Sequence, residues 1–285
     1  MGWVDYWCNA FTPDRKALWD ASLAAQGVPL GLRTDPEDSY ALPERMLARM
    51  DELDIDTLVL PTGDLPPGAG VTDYESFACR FEEQADLAKR FPGRFVGAWS
   101  IDPSTGMAGV RRAAEALAEP SMVALHYHTH SFDRGFDHRD MYPYYALAAD
   151  AGVAVVMQAG TSGGLMPSAC GQPIGIDRPA LYFPDLVFVL SHAGWPWIDE
   201  TCAMALKFPN VYIGTATQPP RRWPESLQRF SRGGGRGKVL VGTGFPVAGH
   251  RHTLSQLDAL AIEEDLRAAW LGDNPRKVFA RLASL

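Results

Sequence analysis

Short runs of β-branched and apolar residues alternate along the whole chain with longer stretches whose apolar positions recur every three or four residues. The short runs predict strands at Trp3–Cys8, Thr57–Pro61, Phe95–Ile101, Met122–His128, Ala154–Gln158, Leu186–Ser191, Val211–Thr215 and Val239–Val241. Several are nearly continuous apolar segments, as parallel strands covered on both faces should be. Between them, "LPERMLARMDELD" sets Leu42, Met46, Leu47, Met50 and Leu53 on one helical stripe. "DYESFACRFEEQADLAKRF" does the same with Phe77, Phe81, Leu87 and Ala88, and Asp73 is placed to cap it. "GMAGVRRAAEALAE", "RDMYPYYALAADAG" and "WIDETCAMALKFP" each precede a further strand, with Pro92-Gly93, Gly152 and Pro209-Asn210 as stops. Eight strands alternating with helices is what a (β/α)8 TIM barrel requires, and no low-complexity linker divides residues 1–285. The expectation is therefore a single α/β barrel domain. An open doubly wound sheet is the alternative, but no phosphate-binding glycine fingerprint follows the first strand.

Composition narrows the function. With 285 residues, 46% of them hydrophobic, the chain can bury a large core. A net charge of −8 argues against a nucleic-acid surface, and the basic clusters Arg221-Arg222 and Arg229 to Lys238 are short. No apolar run approaches the roughly 20 residues of a membrane span, so no membrane partner is expected. "MGWVDYWCNA" lacks the basic and apolar regions of a signal peptide, so a cytoplasmic location is the expectation. Cys8, Cys79, Cys170 and Cys202 are scattered without CxxC spacing and read as reduced thiols. "SRGGGRGK" precedes a strand and lacks the ending of a P-loop.

Barrel chemistry sits at the C-terminal ends of the strands, which makes a short list of candidates. By the two-residue period, Asp5, Trp7 and Asn9 share a face at the end of strand one. Strands two and three end at Asp64 and Asp102. Strand four is richest: in "ALHYHTH", His126, His128 and His130 share a face. Strand five ends at Gln158, and strand six at Ser191-His192, followed by Trp195 and Trp197. Strand seven ends at Thr215 or Thr217 and strand eight at Gly244.

Several of these segments resemble the amidohydrolase-related family, which includes decarboxylases of the aminocarboxymuconate-semialdehyde type. "VLSHAGWPWIDETCAMALKFPNVYI" is similar to that family's strand-six signature, "VGTGFP" to its closing "GTDFP", and "DNPRKVF" to its C-terminal helix. "VVMQAG" stands where the family has "HTG", and "VDYWCN" where it has "IDxHxH". The resemblance implies a metal site, and this chain departs from it. The two strand-one histidines map to Trp7 and Asn9, the strand-five histidine to Gln158 and the strand-eight aspartate to Gly244; His192 alone remains. One imidazole does not make the three-ligand set of a catalytic zinc. The expectation is thus no cofactor and no metal at the family's position. The family's metal-independent lactonase branch still uses the strand-eight aspartate as its base, which Gly244 removes.

Two routes to chemistry remain open. The strand-four histidines with His192 could form a new metal centre, or they could be polar core groups satisfied by carboxylates such as Asp102. Alternatively, His126, His128 and His192 serve as metal-free acid/base groups, oriented by Asp5 or Asp102. Trp7, Asn9, Gln158, Trp195 and His130 are candidates for substrate contact, Trp7 and Trp195 as stacking surfaces. Arg178, with Arg33, Arg134, Arg139 and Arg251, could clamp a carboxylate. Cys8 alternates away from Trp7 and should pack toward the helices. The function expected first is metal-independent hydrolysis of a lactone, small organic-acid or aromatic substrate by histidine acid/base catalysis; the alternatives are a metal-independent decarboxylase or cyclase step on a small aromatic or polyketide-like molecule, or ligand binding alone. The expected partner is a small-molecule substrate, and the resemblance suggests a homodimer.

Overall fold

The computed structural model describes residues 2–26, 39–63 and 76–285. Arg33, Asp64 and Asp73 lie outside them. Eight parallel strands pair in chain order: β1 (Trp3–Asp5), β2 (Ile55–Thr62), β3 (Phe95–Ser100), β4 (Met122–Tyr127), β5 (Ala154–Gln158), β6 (Phe188–Ser191), β7 (Val211–Gly214) and β8 (Val239–Leu240). Helices return the chain between strands, among them Pro43–Glu52, Phe81–Arg90, Gly106–Leu117, Tyr142–Ala151, Ile198–Lys207 and Glu225–Arg232. This is the (β/α)8 barrel expected of the alternating pattern. Among the described residues, no helix is long and apolar enough to cross a membrane.

The seam between first and last strands is closed without a ladder. Cys8 and Phe245 form an isolated parallel bridge. Gly244 N–H donates to the Trp7 carbonyl oxygen (2.8 Å) and Asn9 N–H to that of Phe245 (3.3 Å). Below them Thr243 N–H and its hydroxyl donate to the Asp5 carboxylate at 3.0 and 2.6 Å.

The apolar residues divide into two cores, which is the consequence of strands covered on both faces. The larger lies between strands and helices; it contains Leu58, Leu60, Leu125, Val155, Met157 and Leu190, with Met46 and Met50 of the helix Pro43–Glu52. Cys8 belongs to it, as the alternation predicts. The smaller fills the barrel interior with Val4, Tyr6, Val59, Val96, Ala98, Ala124, Ala154, Val156, Val189, Tyr212 and Leu240. Continuing each interior series by two residues reaches Ser100, His126, Gln158 and Ser191. The interior thus changes from apolar to polar toward the C-terminal ends.

Two local expectations are corrected. The helix anticipated from Asp73 begins only at Phe81. The segment before it pairs with β2 instead: Cys79 N–H donates to the Pro61 carbonyl (2.9 Å) and Gly63 N–H to that of Cys79 (3.0 Å). The side chains of Asp5 and Trp7 also do not share a face. A bend at Tyr6, with Trp7 N–H donating to Asp5 Oδ1 (3.2 Å), breaks the two-residue period. Both Tyr6 and Trp7 consequently join the interior core, while Asp5 points into the seam.

Candidate active site

Tyr6 forms the floor of the polar end. Its ring crosses the barrel to β7 and β8, where the strands carry glycine: a Cβ on Gly214 would stand 2.4 Å from that ring, and one on Gly242 2.6 Å. Its hydroxyl accepts from Ala216 N–H (2.9 Å) and shares a 2.8 Å hydrogen bond with Ser191 Oγ. Burial raises the phenol far above its ordinary range, so it stays protonated. Tyr6 was not a candidate from the sequence. The two glycines on neighbouring strands were the signal that a large side chain from elsewhere needs their space.

Above this floor the strand-four histidines form a row. Ring centroids are 6.3 Å apart for His126 and His128, and 6.1 Å for His128 and His130. The Trp7 indole lies 4.4 Å from His126, and the Phe77 ring 5.7 Å from His128. His126 Nδ1 is bonded to Ser100 Oγ at 2.9 Å, a pairing fixed by the register of β3 and β4, in which Ser100 faces His126. His126 Nε2 is buried with no hydrogen-bond partner. His128 Nδ1 is held by Ser131 Oγ from the helical turn Thr129–Phe132.

His192 comes from the end of β6, two strands along from β4. Its Nδ1 lies 3.0 Å from the Ala216 carbonyl oxygen and 3.0 Å from Thr217 Oγ1. A carbonyl only accepts, so the proton is on Nδ1 and Nε2 carries the lone pair. The backbone is bent to achieve this: His192, Ala193 and Thr217 have φ of 61°, 53° and 63°. Each such residue costs about 1–3 kcal/mol, and strain of this kind concentrates at functional sites.

The three imidazoles are held neutral. Burial, then the neighbouring His128 and His192, push His126 well below the usual imidazole range. Burial, with His130 and His192, lowers His128 to about 3. Burial lowers His192 to about 4, against the Ala216 carbonyl, which favours the proton. No carboxylate contributes to any of the three.

His126, His128 and His192 are therefore brought together with Trp7. His130 stands in the same row, but both its nitrogens are used: Nε2–H donates to the Gly160 carbonyl (2.8 Å) and Nδ1 meets the Gln158 side chain at 3.3 Å. The pair ties β4 to the end of β5. Asn9 is buried beyond the Cys8 bridge, its N–H given to Phe245. Asp102 does not orient a histidine. Its Oδ1 accepts from Ser104 N–H and hydroxyl (2.9 and 2.5 Å), capping the turn Pro103–Thr105. Asp5 is likewise spent on Thr243. Trp195 is 51% exposed and does not plug the barrel. The Arg178 side chain is 81% exposed and pairs with Asp137. Arg134 and Arg139 pair with Asp140, and Arg251 with Glu52.

At Gly244, where the resemblance would place an aspartate, the backbone leaves no room for a side chain. A Cβ there would lie 2.5 Å from Thr217 Cγ2 and 2.9 Å from its backbone nitrogen, and φ is +60°. Thr217, which holds His192, has taken the room in which an aspartate side chain would begin. The donor set of Trp7, Asn9, Gln158, His192 and Gly244 does not fit a catalytic zinc. Nor do the ring nitrogens of any three among His126, His128, His130 and His192 lie within 4.8 Å of one another, as ligands of one ion would. Among the described residues, the one group of three His, Cys or carboxylate donors lying within 4.8 Å of one another is Asp5, Cys8 and His250, on the other side of the barrel wall.

A family model described as amidohydrolase matches residues 4–281. No curated protein matches the chain in sequence. Among solved structures, an uncharacterized TIM-barrel protein of Bordetella bronchiseptica, Bb4693, is similar over 99% of this chain and 100% of its own, at 21% identity and TM-score 0.76. A 5-carboxyvanillate decarboxylase of Sphingomonas paucimobilis matches over 98% of this chain and 99% of its own, at 18% identity and TM-score 0.64. A 2,6-dihydroxybenzoate decarboxylase from Rhizobium matches over 98% and 99%, at 15% identity and TM-score 0.68.

Proposed function

This chain belongs to the amidohydrolase family of enzymes, and we propose that it decarboxylates a small planar aromatic acid by histidine acid/base catalysis. The observation that carries this reading is the group of three neutral imidazoles, each held at Nδ1, with His126 Nε2 buried without a partner and its ring beside Trp7. No carboxylate takes part in setting the charge of these histidines. A carboxylate entering the site supplies the negative charge the cluster lacks and raises the basicity of the nearest imidazole. That imidazole takes a proton from solvent and delivers it to the ring carbon bearing the carboxylate. The carbon–carbon bond then breaks, its electron pair restores the aromatic ring, carbon dioxide leaves and the imidazole returns to neutral. One proton is consumed per turnover. Trp7 and Phe77 offer flat surfaces suited to an aromatic ring. Decarboxylases of aromatic acids among the similar folds favour this reaction by analogy.

Hydrolysis of a lactone or acyl bond is the second reading, favoured by the tautomer of His192. Its Nε2 lone pair is a ready general base for water. A panel of hydroxybenzoates and aryl lactones separates the two readings. Decarboxylation predicts carbon dioxide release from a hydroxybenzoate; ring opening without carbon dioxide supports hydrolysis, and turnover of neither class overturns both.

A further inference from the structure

The seam between β1 and β8 holds a group of side chains that the proposed reaction does not use. Asp5 ends β1, Cys8 makes the bridge to Phe245, and His250 opens the helix His250–Asp258 that follows β8. All three are fully buried. One donor atom from each lies within 4.8 Å of the other two, and Asp5 Oδ2 is 3.2 Å from His250 Nε2.

His250 and Cys8 are incompletely satisfied by the protein, and the Asp5 charge has no cationic partner among the described Lys and Arg residues. Both ring nitrogens of His250 are buried without a hydrogen-bond partner, because the 3.2 Å approach to Asp5 lacks hydrogen-bond alignment. Leaving such atoms unpaired costs about 1–3 kcal/mol each. Trp3 lies edge-on to the imidazole and Phe245 stacks on it at 5.9 Å, so its surroundings are otherwise apolar. The Cys8 thiol reaches only the carbonyl of its own neighbour, Asn9, at 3.4 Å. The Asp5 carboxylate accepts from Thr243 and Trp7, and no Lys or Arg pairs with it among the described residues.

We propose that Asp5, Cys8 and His250 bind one zinc-class divalent ion as a structural site that fastens the last strand to the first. A thiolate, an imidazole and a carboxylate form a donor set that selects zinc over magnesium or calcium. Thiolate and carboxylate together cancel the two positive charges, so the filled site is neutral in its apolar setting. The three side chains supply three corners of a tetrahedron, the fourth falling to a non-protein ligand such as water. The place is one where a fastening has most effect. β1 has three residues, β8 two, and no ladder joins them. An ion here links residues separated by most of the chain, and the entropy of closing that long loop is the term a clip offsets. These residues face the helices and are not the positions at which the family resemblance places its metal.

The test is protein produced in cobalt-supplemented minimal medium and read by absorption and elemental analysis. The proposal predicts one cobalt per chain, with a thiolate-to-cobalt charge-transfer band in the near ultraviolet. Cys8→Ser should abolish the band and weaken cobalt binding on the order of 100-fold or more. His250→Gln should weaken binding, and His192→Asn should leave band and stoichiometry unchanged. Wild-type protein requires no variant to fold, so the absence of a thiolate band in it overturns the proposal. A band that survives Cys8→Ser, or one lost in His192→Asn, overturns it equally.

Discussion

Because the Ala216 carbonyl can only accept, His192 keeps its proton on Nδ1 and presents Nε2 as a base, while the Ser100 and Ser131 hydroxyls, which can donate or accept, orient His126 and His128 without fixing which nitrogen carries the proton. Replacing His192 by Asn should lower kcat by about 100-fold or more, the usual worth of a general acid/base group. Thr217→Val should act more weakly through the orientation of His192, with kcat reduced more than KM is raised; steady-state kinetics on both variants checks the difference. The alternation "ALHYHTH" made the histidine row legible, because a strand's side-chain period is fixed by its pleat. Asp102 and Arg178 were misleading for one reason: local partners, Ser104 and Asp137, claim them before the site can. Such competition leaves no mark in the sequence.

At the scale of elements, strand β1 illustrates what periodicity misses. The bend after Asp5 is imposed by the bonds of its carboxylate to Thr243 and Trp7, contacts some 240 residues apart in one case. Tyr6 enters the barrel only because Gly214 and Gly242 leave room. Gly242→Ala should therefore destabilise the fold by about 1–3 kcal/mol through overpacking, measured by urea denaturation. Tyr6→Leu in the same background should recover part of the loss. Strand positions were otherwise well marked, and β5 matches the expected Ala154–Gln158 exactly as the apolar run ends. The helix after β2 was not, since "FAC" pairs with the end of β2 through backbone bonds that any residue could make.

The whole molecule carries an apolar barrel end and a polar end with buried neutral histidines, and this arrangement makes its stability depend on pH. Between the ordinary imidazole value of 6.5 and about 4, the unfolded chain binds protons that folded His128 and His192 refuse. Stability should therefore fall as pH falls through that window, and be fully present above it. Thermal melts from pH 7.5 to 4.5 should show a declining Tm, with a shallower decline in His128→Gln. The barrel itself was readable because eight buried strands alternate with amphipathic helices. The resemblance marked Trp7, Asn9, Gln158 and Gly244 as departures from its metal-ligand positions, but the sequence carried no sign that Thr217 crowds Gly244, a contact that depends on a left-handed turn at residue 217. The central claim, that one of these imidazoles, protonated from solvent once the substrate carboxylate has entered, delivers that proton to the ring carbon as the carboxylate departs, is tested most directly in deuterated water. NMR of the product formed from a hydroxybenzoate should show one deuterium at the carbon that lost the carboxylate, at a rate cut at least tenfold in both His128→Asn and His192→Asn. Deuterated product formed at the wild-type rate by both variants, or no decarboxylated product from any hydroxybenzoate, would contradict it.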